Sequence, residues 1–351
     1  MCTNFTTIKQ ANTDYLSAKS LDFSFSIDTD LAFAKQGECL SIQSGDVRAL
    51  FGFAGTCYVD TSKPGDPKST KFFYEGMNQQ GLSASLLWLP TTTSTGGDRT
   101  RADKPVQLTE LVAYVLGTFE DVAQVYAAMS IDNGFYVNFD AEQASGSVKS
   151  FCENTGNELP LHLVVTDAKG ESLVVEFSNG KTRLYYQNPN CTGILTNAPC
   201  YNLKLDNLSS FAHLNADEYP SDITNTFFPH CDTARPGAML KDQHNQQDQQ
   251  DQILNMLRMV QVCELPVGAV IEPSPSLVEQ IDSQYSHWTV VRDHTNQSLY
   301  INTDHKTKPY KLDINQLLNG HKQSPKTEQW YKAFDFDCVI DYSNLDPVVA
   351  H

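Results

Sequence analysis

The sequence lacks the features of a membrane-spanning, nucleic-acid-binding or disulfide-stabilised protein. No apolar run in its 351 residues is long enough to cross a bilayer. Basic residues are a minority, and the formal net charge of −17 argues against nucleic acid or an anionic membrane surface as a partner. The nine cysteines show neither CxxC nor Cys/His ligand spacing, so neither a disulfide framework nor a zinc site is predicted. No metal and no cofactor are expected.

The N-terminus also lacks a basic n-region and an apolar h-region, the two parts of a signal peptide. A cytoplasmic location is therefore predicted, or a periplasmic one if a leader has been removed. Neither an internal repeat nor a clear linker divides the chain, which predicts one mixed domain over residues 2–351. The polar stretch KDQHNQQDQQDQ, residues 241–252, is typical of an exposed loop leading into a helix.

Strand signals dominate the rest of the chain. LHLVVTDAKGESLVVEF, residues 161–177, predicts a hairpin around DAKG, and SHWTVVRDHTNQSLYINT, residues 286–303, predicts a second one around HTNQ. Helices are fewer. Within residues 109–129, Thr118 and Asp121 have the spacing of an N-terminal cap. Apolar residues at helical spacing predict a helix after the glutamine-rich loop, namely Ile253, Leu254, Leu257 and Val260.

The cysteine directly behind the initiator methionine is the first candidate functional residue. Removal of Met1 would make Cys2 the N-terminal residue, with a thiol and a free α-amine on one residue. An α-amine has a pKa of about 7.7 to 8 and a thiol one of about 8.5, so the amine can accept the thiol proton near neutral pH. Taken alone, a cysteine at this position is also compatible with an accident of sequence.

A cation and an acid follow in the strand-like run AKSLDF, residues 18–23. Asp22 could accept a hydrogen bond from the protonated α-amine of Cys2, and Lys19 could favour the thiolate. The alternative is that Lys19 and Asp22 form a solvated charged pair.

Two asparagines complete the set of candidates. Asn78, in EGMNQQGLSASLLWL at residues 75–89, carries an amide donor of the kind that stabilises a tetrahedral oxyanion. Asn197 ends the predicted strand in LTNAP, residues 195–199, just before a proline. Both asparagines are also typical turn formers, so a purely structural role remains the alternative for each.

In this order, the motifs resemble the choloylglycine hydrolase family of N-terminal nucleophile hydrolases, which includes bile salt hydrolases and penicillin V acylases. The similarity rests on Cys-Thr at positions 2 and 3, then SLDF, EGMNQQGL, and LTNAP followed by YNLKLDNLSSF. It also includes ELVAYVLGTFEDVAQV, PLHLVVTDAKGESLVVEF and ILNMLRMVQVCELPVGAV, and it runs to about Thr303. The motifs occur together, in the family's order and with similar spacing.

The resemblance implies an α+β fold, a four-layer αββα sandwich of two antiparallel sheets, and hydrolysis of a linear C–N amide through a thioester. It implies that Cys2 is the nucleophile and that Asp22 positions its amine. It further implies that Asn197 lies near the reacting centre and that Asn78 supplies the oxyanion donor, with a contribution from the backbone amide of Asn78. Small-molecule N-acyl amides are the implied partners, and a homotetramer is the implied assembly.

Two positions depart from the family pattern. The family usually has an arginine three residues before the aspartate, and this chain has Lys19, which keeps the charge without the planar fork. A second family arginine normally lies in a Ser-Arg-Phe-type segment after the asparagine motif. The nearest candidate here is Arg235 in CDTARPGAML, where the following proline and glycine break the pattern.

The resemblance also bears on substrate preference. By analogy, Phe23 and Trp88 are predicted to line an apolar acyl pocket, although strand aromatics are also common in plain cores. The LLWLP run favours the penicillin V acylase-like branch over bile salt hydrolases, and N-acyl homoserine lactones are a further candidate substrate.

Two other functions compete with the amidase interpretation. A non-catalytic member that binds acyl ligands is suggested by Lys19 and the broken Ser-Arg-Phe pattern. A papain-like peptidase fits poorly, because the histidines occur in no local signature that would pair one with a cysteine; the histidines considered are His162, His213, His230 and His287.

Overall fold

The computed structural model describes most of the predicted strands and helices. The described residues are 2–7, 14–23, 29–42, 44–58, 72–89, 104–130, 134–140, 149, 159–178, 181–186, 194–197, 200–211, 249–266, 270–273, 281–303, 309–320 and 332–334. Arg235 and most of the polar stretch 241–252 lie outside them, so the predictions for these positions stay predictions.

The strands run through the whole described chain. They are β1 Thr3–Thr6, β2 Leu16–Phe23, β3 Asp30–Ala34, β4 Cys39–Ile42, β5 Gly45–Arg48, β6 Phe53–Tyr58, β7 Phe72–Phe73, β8 Glu75–Asn78, β9 Ser83–Trp88, β10 Lys104–Gln107, β11 Phe135–Asn138, β12 Leu161–Thr166, β13 Ser172–Ser178, β14 Lys181–Tyr186, β15 Leu195–Thr196, β16 Val270–Pro273, β17 Ile281–Asp293, β18 Ser298–Thr303, β19 Tyr310–Asp313 and β20 Lys332–Phe334. The helices are α1 Leu111–Thr118, α2 Val122–Ser130, α3 Tyr201–Phe211, α4 Gln249–Val262 and α5 Ile314–Gly320.

Two antiparallel sheets form the centre of the described fold. The first sheet has the strand order β15-β1-β2-β17-β18-β19, with β16 also paired to β17. The second sheet has the order β14-β13-β12-β9-β8-β6-β3-β20, with β7 also paired to β6. Two smaller ribbons, β4-β5 and the parallel pair β10-β11, lie outside these sheets.

Helices cover the outer faces of both sheets. The helix α4 packs on β2 and β17 of the first sheet, whereas α1 and α2 pack on strands of the second. This layering explains why β2, LSAKSLDF, is buried over almost its whole length. Lys19 of β2 donates to the Leu86 carbonyl of β9 in the second sheet, and α4 packs against β2 from the other side. The fold is the predicted α+β sandwich of two antiparallel sheets. Among the described helices, none has both the length and the apolarity needed to span a membrane.

Local sequence patterns predicted several of these elements. Both predicted hairpins are confirmed, as β12-β13 and as β17-β18. The helix predicted from the apolar spacing after the glutamine-rich stretch is confirmed as α4, which begins at Gln249 and so already includes the last residues of that stretch. The predicted cap is wrong in one respect: Thr118 is the last residue of α1, and Asp121 caps α2 by accepting the N–H of Gln124 over 2.9 Å.

A buried ion pair connects the two sheets. Arg292, on β17, crosses from the first sheet and donates from Nη2 to Glu75 of β8 and, over 2.7 Å, to the Ser85 hydroxyl of β9. Its Nη1 donates to Asn4 Oδ1 and Ser17 Oγ, both over 3.2 Å. Burial lowers the pKa of Arg292 to about 9, which still leaves the guanidinium charged at neutral pH. Nothing in the local sequence around Arg292 indicated this pair.

Candidate active site

Cys2 precedes the first residue of β1, and residues from two other segments meet it there. The strand β1 pairs with β2 on one side and with β15 on the other. The backbone N–H of Cys2 donates to Asn197 Oδ1 over 3.1 Å, and Cys2 Sγ lies 3.9 Å from the Asp22 carbonyl oxygen. Cys2 itself is only 3% exposed. The fold thus brings Cys2, Asp22 and Asn197 together from three stretches of sequence.

Two serines hold the Asp22 carboxylate. Ser20 donates to Oδ2 over 3.0 Å, and Ser286 donates to Oδ1. Burial raises the pKa of Asp22, while the hydrogen bonds from Ser286 and Ser20 act in the opposite direction. Ser286 Oγ also accepts the backbone N–H of Leu265 over 2.8 Å, so the segment after α4 is attached to the same carboxylate. Neither serine was predicted from the sequence.

A β-bulge in β17 places side chains of this one strand on both faces of the sheet beside β2. Ser286 pairs with Asp22, but Trp288 pairs with Leu21, so the register shifts at His287. Paired residues share a face, whereas adjacent residues of a strand point to opposite faces. The Ser286 side chain therefore lies on the same face of the sheet as that of Asp22. The Trp288 side chain lies on the opposite face, together with those of Leu21 and Lys19.

Lys19 is fully buried between the sheets. Its Nζ donates to the carbonyl oxygens of Leu86, over 2.9 Å, and Tyr74, over 3.4 Å, and lies 5.4 Å from the Trp288 ring centroid. Burial lowers the pKa of Lys19 to about 7; Cys2 opposes that shift and Arg292 adds to it. The alternative interpretation as a solvated charged pair with Asp22 is wrong, because both side chains are buried and they lie on opposite faces of β2.

Asn78 does not fit the predicted role of oxyanion donor. Its Nδ2 donates to the carbonyl oxygens of Leu116, over 3.0 Å, and Phe119, over 2.9 Å. Its backbone N–H donates to the Leu82 carbonyl over 2.9 Å. Its Oδ1 accepts the N–H groups of Gln80 and Leu82, both over 3.0 Å, around a turn that contains Gly81 at a φ of 79°. Both donors of Asn78 are thus used within the fold, in agreement with the turn-former alternative.

The two aromatic residues predicted to line the acyl pocket lie against each other. Phe23 is the last residue of β2 and Trp88 the last residue of β9, so each comes from a different sheet. Their ring centroids are 6.2 Å apart with an interplanar angle of 85°, an edge-to-face contact, and both side chains are partly exposed. The pair lies at the end of β2 that carries Asp22 and forms a partly exposed apolar surface there.

Two solved structures share the fold of this chain. A mutant form of the conjugated bile acid hydrolase from Clostridium perfringens aligns with a TM-score of 0.68 over 90% of this chain and 93% of that one, at 18% identity. The penicillin V acylase from Agrobacterium tumefaciens aligns with a TM-score of 0.68 over 90% and 87%, at 19% identity. This chain therefore has the fold of these two structures.

Sequence comparison identifies the family. The model of the linear amide C–N hydrolases of the choloylglycine hydrolase family matches residues 2–228. The chain belongs to this family. The bile salt hydrolase/transferase of Clostridium perfringens is 26% identical over 148 residues, which cover 42% of this chain and 40% of that protein. The penicillin V acylase of Pectobacterium atrosepticum is 24% identical over 214 residues, 58% and 51% of the two chains. The matches thus span about half or less of these relatives.

Proposed function

We propose that this protein is an N-terminal cysteine amidohydrolase that cleaves linear N-acyl amides after removal of Met1. The observation that carries the proposal is the position of the Cys2 nitrogen, which is bonded to Asn197 Oδ1 at a buried point beside Asp22. An N-terminal cysteine needs its nitrogen held in a fixed orientation, because that nitrogen is the base for its own thiol.

The proposed reaction proceeds in two halves. The free α-amine of Cys2 accepts the thiol proton, and the thiolate attacks the amide carbonyl carbon. The tetrahedral oxyanion collapses, the C–N bond breaks, and the leaving amine takes up the proton from the α-ammonium. A water molecule, deprotonated by the same amine, then hydrolyses the thioester and releases the acid. Asp22 would stabilise the α-ammonium form, since its carboxylate is buried and held by Ser20 and Ser286.

Asn197 is the better candidate for the oxyanion donor. Its Oδ1 accepts the Cys2 N–H, and its Nδ2 is attached to the same amide carbon, so the donor lies next to the reacting residue. A single preorganised amide donor of this kind accounts for about 10²- to 10³-fold in rate in other hydrolases. This assignment replaces Asn78, whose amide is bound to two backbone carbonyls.

Lys19, whose pKa Cys2 raises against the larger effect of burial, is proposed to favour the Cys2 thiolate while its own amine is charged, at and below about pH 7. Its pKa of about 7, against 10.5 for an ordinary lysine, has a consequence for stability. Between those two values only the unfolded chain holds the Lys19 proton. The free energy of unfolding should therefore rise with pH across this window, by up to about 1.4 kcal/mol per pH unit. In Lys19→Met the free energy of unfolding should not show this rise. The measurement is urea unfolding of the variant and of the unmodified protein at several pH values from about 6 to about 9.

The exposed Lys181 offers the control for this prediction. Lys181→Met should keep the pH dependence of the unmodified protein. If the free energy of unfolding rises as steeply with pH in Lys19→Met as in the unmodified protein, Lys19 is not a neutral buried amine above pH 7.

The proposed substrate class is an amide with an apolar acyl group, penicillin V in the first place. Phe23 and Trp88 support this class, because an edge-to-face aromatic pair suits a phenoxyacetyl or other apolar acyl group. Conjugated bile acids are the alternative, since the compared relatives include bile salt hydrolases as well as penicillin V acylases. N-acyl homoserine lactones are a third candidate.

Intact mass and a small substrate panel test the function together. The purified protein should have the mass of the chain without Met1, and it should hydrolyse at least one of penicillin V, glycocholate and an N-acyl homoserine lactone. If all three survive and iodoacetamide labels Cys2 no faster than a free cysteine, a non-catalytic acyl-binding protein becomes the better interpretation. Full activity with Met1 retained would exclude the N-terminal amine as the base.

A further inference from the structure

A buried lysine, Lys204, donates to the backbone carbonyl of Asn197 and has no part in the mechanism proposed above. Lys204 is the fourth residue of α3, and its side chain is 0% exposed. Its Nζ donates to the backbone carbonyl oxygens of both Thr196 and Asn197. Thr196 is the last residue of β15, and Asn197 begins the short segment that joins β15 to α3, so the lysine folds back onto the residues that lead into its own helix.

This position is unfavourable for a lysine on two counts. Burial of an ammonium group is costly unless hydrogen bonds or a counter-charge compensate for its lost hydration. A cation in the first turn of a helix also lies near the positive end of the helix dipole. Helix stability therefore does not explain Lys204. The two carbonyl contacts do, because they give the ammonium its partners and at the same time restrain the Asn197 peptide.

An acidic residue restrains the other end of the same segment. Glu176 on β13 is buried, and its Oε1 accepts the backbone N–H of Tyr201 over 2.7 Å. His162 Nδ1 lies 3.6 Å from that oxygen. Burial lowers the pKa of His162 to about 4, and the nearby Lys204 charge lowers it too, so the imidazole is neutral at neutral pH. The carbonyls at 196 and 197 and the amide at 201 are thus held by a buried cation and a buried acidic side chain.

We propose that Lys204 is a positioning residue for Asn197. It holds the Asn197 backbone so that Asn197 Oδ1 stays on the Cys2 nitrogen and Nδ2 stays beside the reacting carbon. The contact sequence runs from Lys204 Nζ to the Asn197 carbonyl, and from Asn197 Oδ1 to the Cys2 N–H. Lys204 is proposed to act through Asn197 and not on the reacting atoms themselves. The effect on rate rests on the proposed function, whereas the effect on the geometry of Asn197 does not.

A double-mutant cycle separates positioning from a general structural role. Lys204→Met should lower kcat at least tenfold on whichever amide of the panel is hydrolysed, with KM changed by no more than about twofold. In an Asn197→Ala background the same substitution should cost nothing further, because its only route to the chemistry is gone. Leu203→Ala, at an exposed neighbouring position of α3, should leave kcat unchanged.

Two outcomes would overturn the proposal: an unchanged kcat in Lys204→Met, or an equal loss of kcat with and without Asn197. If Lys204→Met does not fold, Lys204→Gln, which keeps one donor but no charge, replaces it in the same cycle.

If the unmodified protein hydrolyses no amide, the proposed function fails, and crystal structures of the unmodified protein and of the Lys204 variant test the geometry of Asn197 instead. The Asn197 Oδ1 to Cys2 nitrogen contact should be lost in the Lys204 variant; its persistence would contradict the positioning role.

Discussion

Cys2→Ala should abolish amide hydrolysis, with a fall in kcat of about 10⁴-fold or more, because it removes the nucleophile on which the thioester depends. Cys2→Ser should also be inactive or nearly so. A serine hydroxyl is far less acidic than a thiol and a weaker nucleophile near neutral pH, in a site that here holds a thiol. The measurement is the initial rate of acid release from the best amide of the panel, on protein whose N-terminus has been verified by intact mass.

The control for this prediction is a cysteine away from the site. Cys263 is partly buried, and its Sγ donates to the Met259 carbonyl oxygen over 3.7 Å. Cys263→Ser should therefore keep full activity and lose only the iodoacetamide label at that position. The Cys2 variants should unfold at the same urea concentration as the unmodified protein, which excludes a folding defect. Residual hydrolysis by Cys2→Ala at a tenth of the normal rate would contradict the proposed mechanism.

Of the substitutions proposed for this protein, one that breaks the buried Arg292–Glu75 pair should lower the free energy of unfolding most. Glu75→Gln would leave a buried guanidinium without its counter-charge, and removal of one partner of a buried pair costs about 3–5 kcal/mol. Both side chains are 1% exposed, so water cannot replace the missing carboxylate. The loss should appear in the free energy of unfolding measured with urea. Since Arg292 also binds Asn4, two residues after Cys2, activity should fall at temperatures where the variant is still folded.

A second variant distinguishes the ion pair from simple core damage. The double substitution Arg292→Met with Glu75→Leu removes both charges and should recover much of the stability lost in Glu75→Gln. As a matched comparison, the Lys169–Asp121 pair has a lysine that is 64% exposed, and Lys169→Ala should leave the urea midpoint unchanged. If Glu75→Gln unfolds at the same urea concentration as the unmodified protein, Arg292 is neutral or compensated by another group.

The short-range features of the fold could be predicted from the sequence. The two hairpins have β-branched runs on either side of turn residues, and α4 has apolar residues at helical spacing, so the signal lies within a few residues of each element. The order of weak motifs from Cys2 onwards indicated the family and, with it, the two-sheet sandwich. The error at Thr118 shows the limit even there, because Asp121 has the same capping chemistry three residues later.

What only the tertiary structure decided is the use of each side chain. Asn78 could be assigned as an oxyanion donor only while its partners were unknown; they are carbonyls 38 and 41 residues away along the chain. Lys19 could be a surface charge until its contacts with carbonyls 55 and 67 residues away were seen. Ser286 meets Asp22 across 264 residues, at a bulge that no periodicity indicates. Local patterns determine which elements form, whereas hydrogen-bond partners and burial depend on residues that only folding brings together.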